Sequence, residues 1–441
     1  MHSAEKSLAK DSVEVRTRRR VTRRLMPFLM LLYLMAFIDR ANLGIAKLHM
    51  QHDLNFTDEI IGFGAGIFFV GYFLLEVPGS LIVERWSARR WIARIAITWG
   101  AVATLTGLIG TEAFNFLSVK AQFYSARFLL GMAEAGFFPG VVVYLSHWFR
   151  PEDRARAKAY FMMTQPLAVV LGLPIARVIL QNVHWHGLES WRWIFILEGL
   201  PSVALGIMTL FYLDDRVDDA SWLPDDEKQW LKGELKREEI ARTAAGRVRV
   251  WEALRLPQTW LLSSILFLII TGNQAILFFL PSIMDGIKSM SITWRTVVTV
   301  LPYVCSMSGI LLNGISANRS GERRWHTSLP MILTGSSLAM AILSGDHVAL
   351  VVAFFCLAGF TSQAWLPVFW TLPTKFLGKS AAAAATGLIN SLGNLGGFAG
   401  PYIFGYLRSS TGRYDAGLWF LTGCMLAAGA LASRIRVDRK T

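Results

Sequence analysis

Twelve blocks of about 20 apolar residues, separated by polar turns, run the length of the chain, and about 20 is what one α-helix needs to cross a bilayer. They lie near residues 25–49, 58–83, 91–111, 120–146, 157–180, 191–213, 257–284, 293–316, 327–344, 348–371, 380–408 and 415–434. Of the 441 residues 53% are hydrophobic and only 17% charged, with a mean hydropathy of +0.41, too apolar a composition to be hidden in soluble cores. The expected fold is an all-α, polytopic membrane protein.

A net charge of +13 would suit a nucleic-acid binder, but the distribution excludes it: basic residues cap the ends of apolar blocks and form no stripe interleaved with aromatics. The N-terminal tail, the turns near 85–90, 150–158 and 319–324, the segment 214–256 and the C-terminal tail hold about 30 of the 44 Lys and Arg, and the opposite set of connections about seven. The positive-inside rule therefore puts both termini and the middle segment in the cytoplasm. No short apolar core with a small-residue cleavage site follows the basic N-terminus, so the first span is expected to be retained. Cys305, Cys356 and Cys424 fall inside apolar blocks, as small buried hydrophobes do, and set up neither a disulfide frame nor metal-ligand spacing.

The expected organisation is a basic tail (1–24), a six-helix half (25–213), a linker with one amphipathic helix (214–256), a second six-helix half (257–434) and a short tail (435–441). In the linker, Asp225 and Asp226 mark a helix start, and Trp230, Leu231 and Leu235 share one side. Internal similarity supports a duplication. The turn "SLIVERWSARR" (Ser80 to Arg90) matches "GISANRSGERR" (Gly314 to Arg324) at an offset of 314 − 80 = 234. The same offset carries Asp39 onto Asn273 and Arg40 onto Gln274; an offset of 225 carries Gln165 onto Asn390. The first half thus holds charge where the second holds neutral amides.

Charges deep in the spans point to the chemistry. Each costs at least about 2.5 kcal/mol at bilayer depth unless it meets a partner or water. Asp39 and Arg40 sit in span one, Arg127 and Glu134 in span four. The latter two, seven residues apart, share a helix face about 10 Å apart along the axis, too far to pair directly but able to face one cavity. Arg177, near a span end, is expected to snorkel to the headgroups. Arg192 and Glu198 of span six read as a structural pair. Tyr72, Gln165, Trp370, Asn390 and Asn394 are candidates to line the cavity. In the turns, Glu84, Arg85, Arg89 and Arg90, with Asn318 and Arg319 in the second copy, either latch helix ends in one gating state or are simply solvated charge.

The twelve spans, the two halves and the repeated turn resemble the major facilitator superfamily. Its turn normally has Gly, Asp and Gly where this chain has Ser80, Glu84 and Ser87, while the second copy keeps Gly314 and Gly321 with Asn318 for the acid. More narrowly, "FIDRANLGIA", "FFVGYFLLEVPGSLIVERWSARRWIARI", "RFLLGMAEAGFFPGVVVYLSHWF", "WRWIFILEGLPS" and "NSLGNLGGFAGPYIFGYL" are similar to the anion:cation symporters, which include bacterial sugar-acid, tartrate, phthalate and hydroxyphenylacetate transporters.

That resemblance implies proton-driven uptake of an organic carboxylate. By position it gives Asp39 and Glu134 as protonatable carboxylates, Arg40 as the holder of the cargo carboxylate, Arg127 as its partner, and Tyr72, Gln165, Trp370 and Asn390 as lining. Phe37 stands where sugar-acid members often have Tyr, which leans towards a more apolar or aromatic acid. The expected partners are a small organic anion, protons and membrane lipid, with no nucleic acid, metal or cofactor, and the protein is expected to act as a monomer in the inner membrane. Two alternatives stay open: an uncoupled facilitator or anion exchanger of the same fold, and a carboxylate-binding membrane sensor. An enzyme is not expected, since no nucleophile with its base, metal cluster or phosphate loop is present.

Overall fold

The computed structural model describes residues 12–112, 116–244, 256–373 and 379–435, and the side chains of a few helical residues within these ranges, Glu84 and Arg85 among them, lie outside the description. Among the described residues the chain forms sixteen α-helices and no strand. The first half comprises α1 (Val13–Leu54), α2 (Asp58–Arg85), α3 (Ala88–Thr106), α4 (Val119–Glu134), α5 (Phe137–Ser146), α6 (Pro151–Asn182) and α7 (Ser190–Tyr212). A linker helix, α8 (Asp225–Ala244), follows. The second half comprises α9 (Pro257–Asp285), α10 (Ile292–Ser320), α11 (Arg324–Leu343), α12 (Val348–Ser362), α13 (Leu366–Phe369), α14 (Lys379–Asn394), α15 (Gly396–Thr411) and α16 (Asp415–Ala432).

Ten of these, counting α4–α5 and α12–α13 as one each, are long and apolar enough to cross a membrane. The arginine-bearing α3 and the α14–α15 pair, divided at Leu395, occupy the third and eleventh places and complete twelve crossings in two six-helix halves. Helix order puts the start of α1, the end of α16 and α8 on one face, here the tail face, and the connections at Asn55 and Val183 on the other, the far face. Helix starts follow local chemistry: the hydroxyls of Ser12, Thr57, Ser87, Ser118 and Ser291 each accept from a backbone N–H in the first turn.

The basic N-terminal stretch is not a separate tail from residue 13 onward. It is the first three turns of α1, a continuous helix of 42 residues that extends about 63 Å. Those turns dock on the linker helix and on α6: Arg16 meets Asp226 at 2.8 Å, Arg20 meets Glu227 at 3.1 Å, and Arg18 pairs with Asp153. Arg154 of α6 reaches Glu238 at 2.9 Å. The expected apolar side of α8 is present, with Leu231 buried and Trp230 and Leu235 packed on the same core.

The halves meet where α2 runs along α15, α6 along α10 and α1 against α9. At the far face polar groups pin this seam. Lys47 of α1, itself buried, pairs with Asp58 of α2, which also faces Arg408 of α15 at 4.0 Å. The Glu59 N–H donates to Ser409 Oγ at 3.0 Å. Arg177 does not snorkel: its Nη2 donates to both oxygens of Asp285, at 2.5 and 2.6 Å, joining α6 to α9. A carboxylate of the other half, only a seam away, is a better partner than the headgroup region.

Candidate functional site: a charge cluster beside a neutral chamber

Three helices of the first half bring the charges together. α2 and α4 touch almost backbone to backbone: a Cβ on Gly131 would stand 1.9 Å from the Phe68 carbonyl oxygen, so only glycine fits there. This approach sets Phe68 beneath both arginines, with the Arg40 and Arg127 guanidinium carbons 5.1 and 5.3 Å from its ring centre. Glu134 is the last residue of α4. The chain breaks immediately afterwards, at Gly136 with φ +82°, a left-handed conformation suited to glycine, before α5 resumes.

Arg40 Nη2 binds Glu134 Oε1 at 2.6 Å. The Arg40 guanidinium also lies over the rings of Phe37 and Tyr72, at 4.9 and 5.3 Å. Asp39 and Arg127 face each other within electrostatic reach, yet among the described residues neither Asp39 oxygen nor any Arg127 guanidinium nitrogen has a hydrogen-bond partner. Both groups are enclosed, at 2% and 0% exposed, as is Glu134 at 2%; the Arg40 side chain keeps 12%. Of the four charged side chains, Arg40 is the most exposed. These two acids and two guanidiniums sum to zero charge, and Glu198 of α7 is a further buried acid within electrostatic reach of Asp39.

Beside the cluster lies a mid-membrane chamber of about 900 Å³, including the space open to solvent. Phe37 is the wall the two share. Gln165 and Val169 of α6 and Asn273, Gln274, Tyr303, Phe355, Gln363 and Trp365 of the second half line it. Asn273 and Gln274, the repeat counterparts of Asp39 and Arg40, therefore face the chamber, and Asn273 Nδ2 donates to the Ser362 carbonyl at 3.3 Å.

Several expected residues sit differently. Trp370 packs against Phe369 on a core cluster that also holds Trp365, and it is Trp365, five residues earlier in the break between α12 and α13, that lines the chamber. Asn390 lies not on the chamber but on Glu76 of α2, to which its Nδ2 donates. Ser391 Oγ and Asn394 Nδ2 also donate to Glu76, at 3.3 and 3.4 Å. Glu76 was absent from the sequence candidates; the signal was the carboxylate itself, buried in an apolar helix nine residues before the end of α2.

Arg192 does not pair with Glu198. Six residues apart, they point to different sides of α7. Arg192 Nη2 instead binds Asp53 at 2.9 Å, while Glu198 lies near Asn42 and Asp39. Among the turn residues, Arg89 donates its N–H to Asp215 at 2.9 Å, and Ser87 Oγ donates to the same carboxylate at 2.6 Å, which ties the start of α3 to the start of the linker. Arg90 is exposed, Arg319 is exposed, and Asn318 accepts from Arg323 at 3.3 Å; Glu84 and Arg85 have no described side chains.

Two membrane-embedded halves around a central chamber with an ionisable cluster behind one wall define a multi-pass membrane transporter rather than an enzyme. The chain belongs to the Major Facilitator Superfamily, whose family model matches residues 29–401. It is 38% identical over 420 residues to a protein of Agrobacterium vitis named for tartrate transport, covering 95% of this chain and 94% of that one. A quinolone resistance transporter of Acinetobacter baumannii is 37% identical over 412 residues, 92% of either chain. The inward-open xylose transporter XylE of E. coli shares 13% identity at a TM-score of 0.73, covering 95% of this chain and 97% of that one, a likeness of fold.

Proposed function

We propose that the chain is a proton-coupled symporter that carries a small organic carboxylate into the cell by alternating access. The observation that carries this reading is the Arg40–Glu134 ion pair at 2.6 Å, set between an enclosed Asp39–Arg127 couple and the chamber wall at Phe37. A guanidinium presents a planar fork that matches a carboxylate, so cargo competes with Glu134 for Arg40. The cluster is neutral before cargo arrives. A monoanion makes it −1, and an unpaired charge at that depth is strongly disfavoured, so one proton on Glu134 or Asp39 must accompany each negative charge brought in.

Protonation of Glu134 releases Arg40, the cargo carboxylate takes it, and the neutral loaded site lets the far-face pins exchange for contacts elsewhere as the halves rock. After cargo and proton leave, Glu134 reclaims Arg40 for the return. The basic turns of the tail face fit the cytoplasmic side, and the bacterial relatives fit the inner membrane.

The test is transport in proteoliposomes. Asp39→Asn and Glu134→Gln are expected to abolish uphill accumulation driven by a pH gradient while counterflow exchange survives. Accumulation at wild-type level in both variants removes the coupling role. Uptake by the wild type that stops at equilibration and ignores the pH gradient identifies an uncoupled facilitator.

A further inference from the structure

We infer that the chamber selects cargo with a single carboxylate on a flat, neutral body and turns away the matching diacid. The inference rests on the carboxylate reading above and narrows it. None of the described residues that line the chamber carries a charge. Its polar equipment is neutral: the amides of Gln165, Gln274 and Gln363 line it without a hydrogen-bond partner among the described residues, and the Tyr303 hydroxyl beside them is enclosed and unpartnered too. Its apolar walls combine the rings of Phe37, Tyr303, Phe355 and Trp365 with aliphatic side chains such as Val169, Ile270, Leu277 and Leu280. Rings of this kind favour a planar body through stacked and edge contacts, and the amides satisfy one or two polar atoms on it.

The two positive groups do not offer a second carboxylate site. Arg40 is reached past Phe37 and serves one carboxylate. Arg127 lies on the Phe68 ring and is fully buried. With one carboxylate on Arg40, a second one on the same molecule would project into a space lined, among the described residues, by neutral amides, hydroxyls and apolar side chains. A carboxylate buried without a counter-ion is disfavoured strongly enough to weaken binding on the order of a hundredfold.

The internal repeat explains the asymmetry. The second-half positions matching Asp39 and Arg40 are Asn273 and Gln274, so the wall opposite the charge cluster is built to contact cargo without charge.

The experiment is calorimetric titration of the purified full-length protein in detergent at pH 7.5 with matched pairs: benzoate against phthalate, and nicotinate against pyridine-2,3-dicarboxylate, with gluconate as a non-planar monoacid. Expected is binding of the ring monoacids, with each diacid on the order of a hundredfold weaker and gluconate weaker than either ring acid. The variant Gln274→Arg, which places a guanidinium in the chamber, is expected to shift the preference at least tenfold towards the diacids. Diacids binding as tightly as their monoacids, or an unchanged preference in Gln274→Arg, overturn the single-charge inference while leaving the carboxylate reading intact. Gluconate binding more tightly than the ring acids overturns the flat-body part. Heat from none of the five overturns the inference together with the carboxylate reading.

Discussion

Replacing Glu134 by Gln tests the central exchange most directly. With the paired atoms 2.6 Å apart and charge centres roughly 4 Å apart, the pair is worth about 4 kcal/mol at an effective dielectric constant of about 20. In the wild type that energy opposes cargo whenever Glu134 is ionised, and protonation removes it. Binding should therefore weaken about tenfold per pH unit at alkaline pH for each coupled proton. Glu134→Gln keeps the shape of the site and removes the competing charge. Its cargo affinity at alkaline pH should exceed that of the wild type by up to nearly three decades, since each 1.4 kcal/mol is tenfold. One unit of the pH slope should disappear with it. The assay is calorimetric titration of a bound monoacid between pH 6 and 9 on both proteins. An identical slope in the variant refutes the reasoning, because Glu134 would then not be the group that gives way to cargo.

The other expectations concern the frame around the site. Arg40→Lys should weaken cargo binding at least tenfold, because a point charge does not reproduce the bidentate fork; affinity within a factor of two of wild type would remove Arg40 from the cargo contact. Glu76→Ala strips the acceptor from Asn390, Ser391 and Asn394, and faster amide hydrogen exchange in residues 385–394 should report a loosened seam. Gly131→Ala forces α2 and α4 apart and should lower stability by about 1–3 kcal/mol in thermal unfolding; a neutral result would show that the helices separate freely. Arg20→Ala takes the half-exposed partner from the buried Glu227 and leaves it Arg16 at 3.8 Å, so stability in thermal unfolding should fall by about 1–3 kcal/mol; no change would show that Arg16 alone satisfies the carboxylate.

The membrane crossings were legible because hydrocarbon leaves so few options: a long apolar block must be a helix, and a charge inside it must find company. That second constraint is why Asp39 and Arg40 of one span and Arg127 and Glu134 of another emerge in one cluster. The repeat offset carried information of a different kind, since it picked out Asn273 and Gln274 on the wall facing the cluster. What stayed hidden depended on breaks and on long-range partners. The lining indole is Trp365, in the break between α12 and α13, and not Trp370. Asn390 was visible as a polar residue in a span, but not that Glu76, 314 positions earlier, claims it. Arg177 looked like a headgroup seeker because nothing local announces Asp285.

The unbroken length of α1 has a mechanical consequence. One rod carries Arg16 and Arg20 at the linker, Asp39 and Arg40 at the cluster, and Lys47 at the opposite surface. Tilting it about its middle moves its two ends in opposite directions. Loosening Lys47 from Asp58 therefore also displaces the arginines that hold the linker helix, and the charged centre acts as the fulcrum. If α1 stays straight through Pro27, which lies between Arg20 and Asp39, a tilt at the centre reaches both surfaces by leverage.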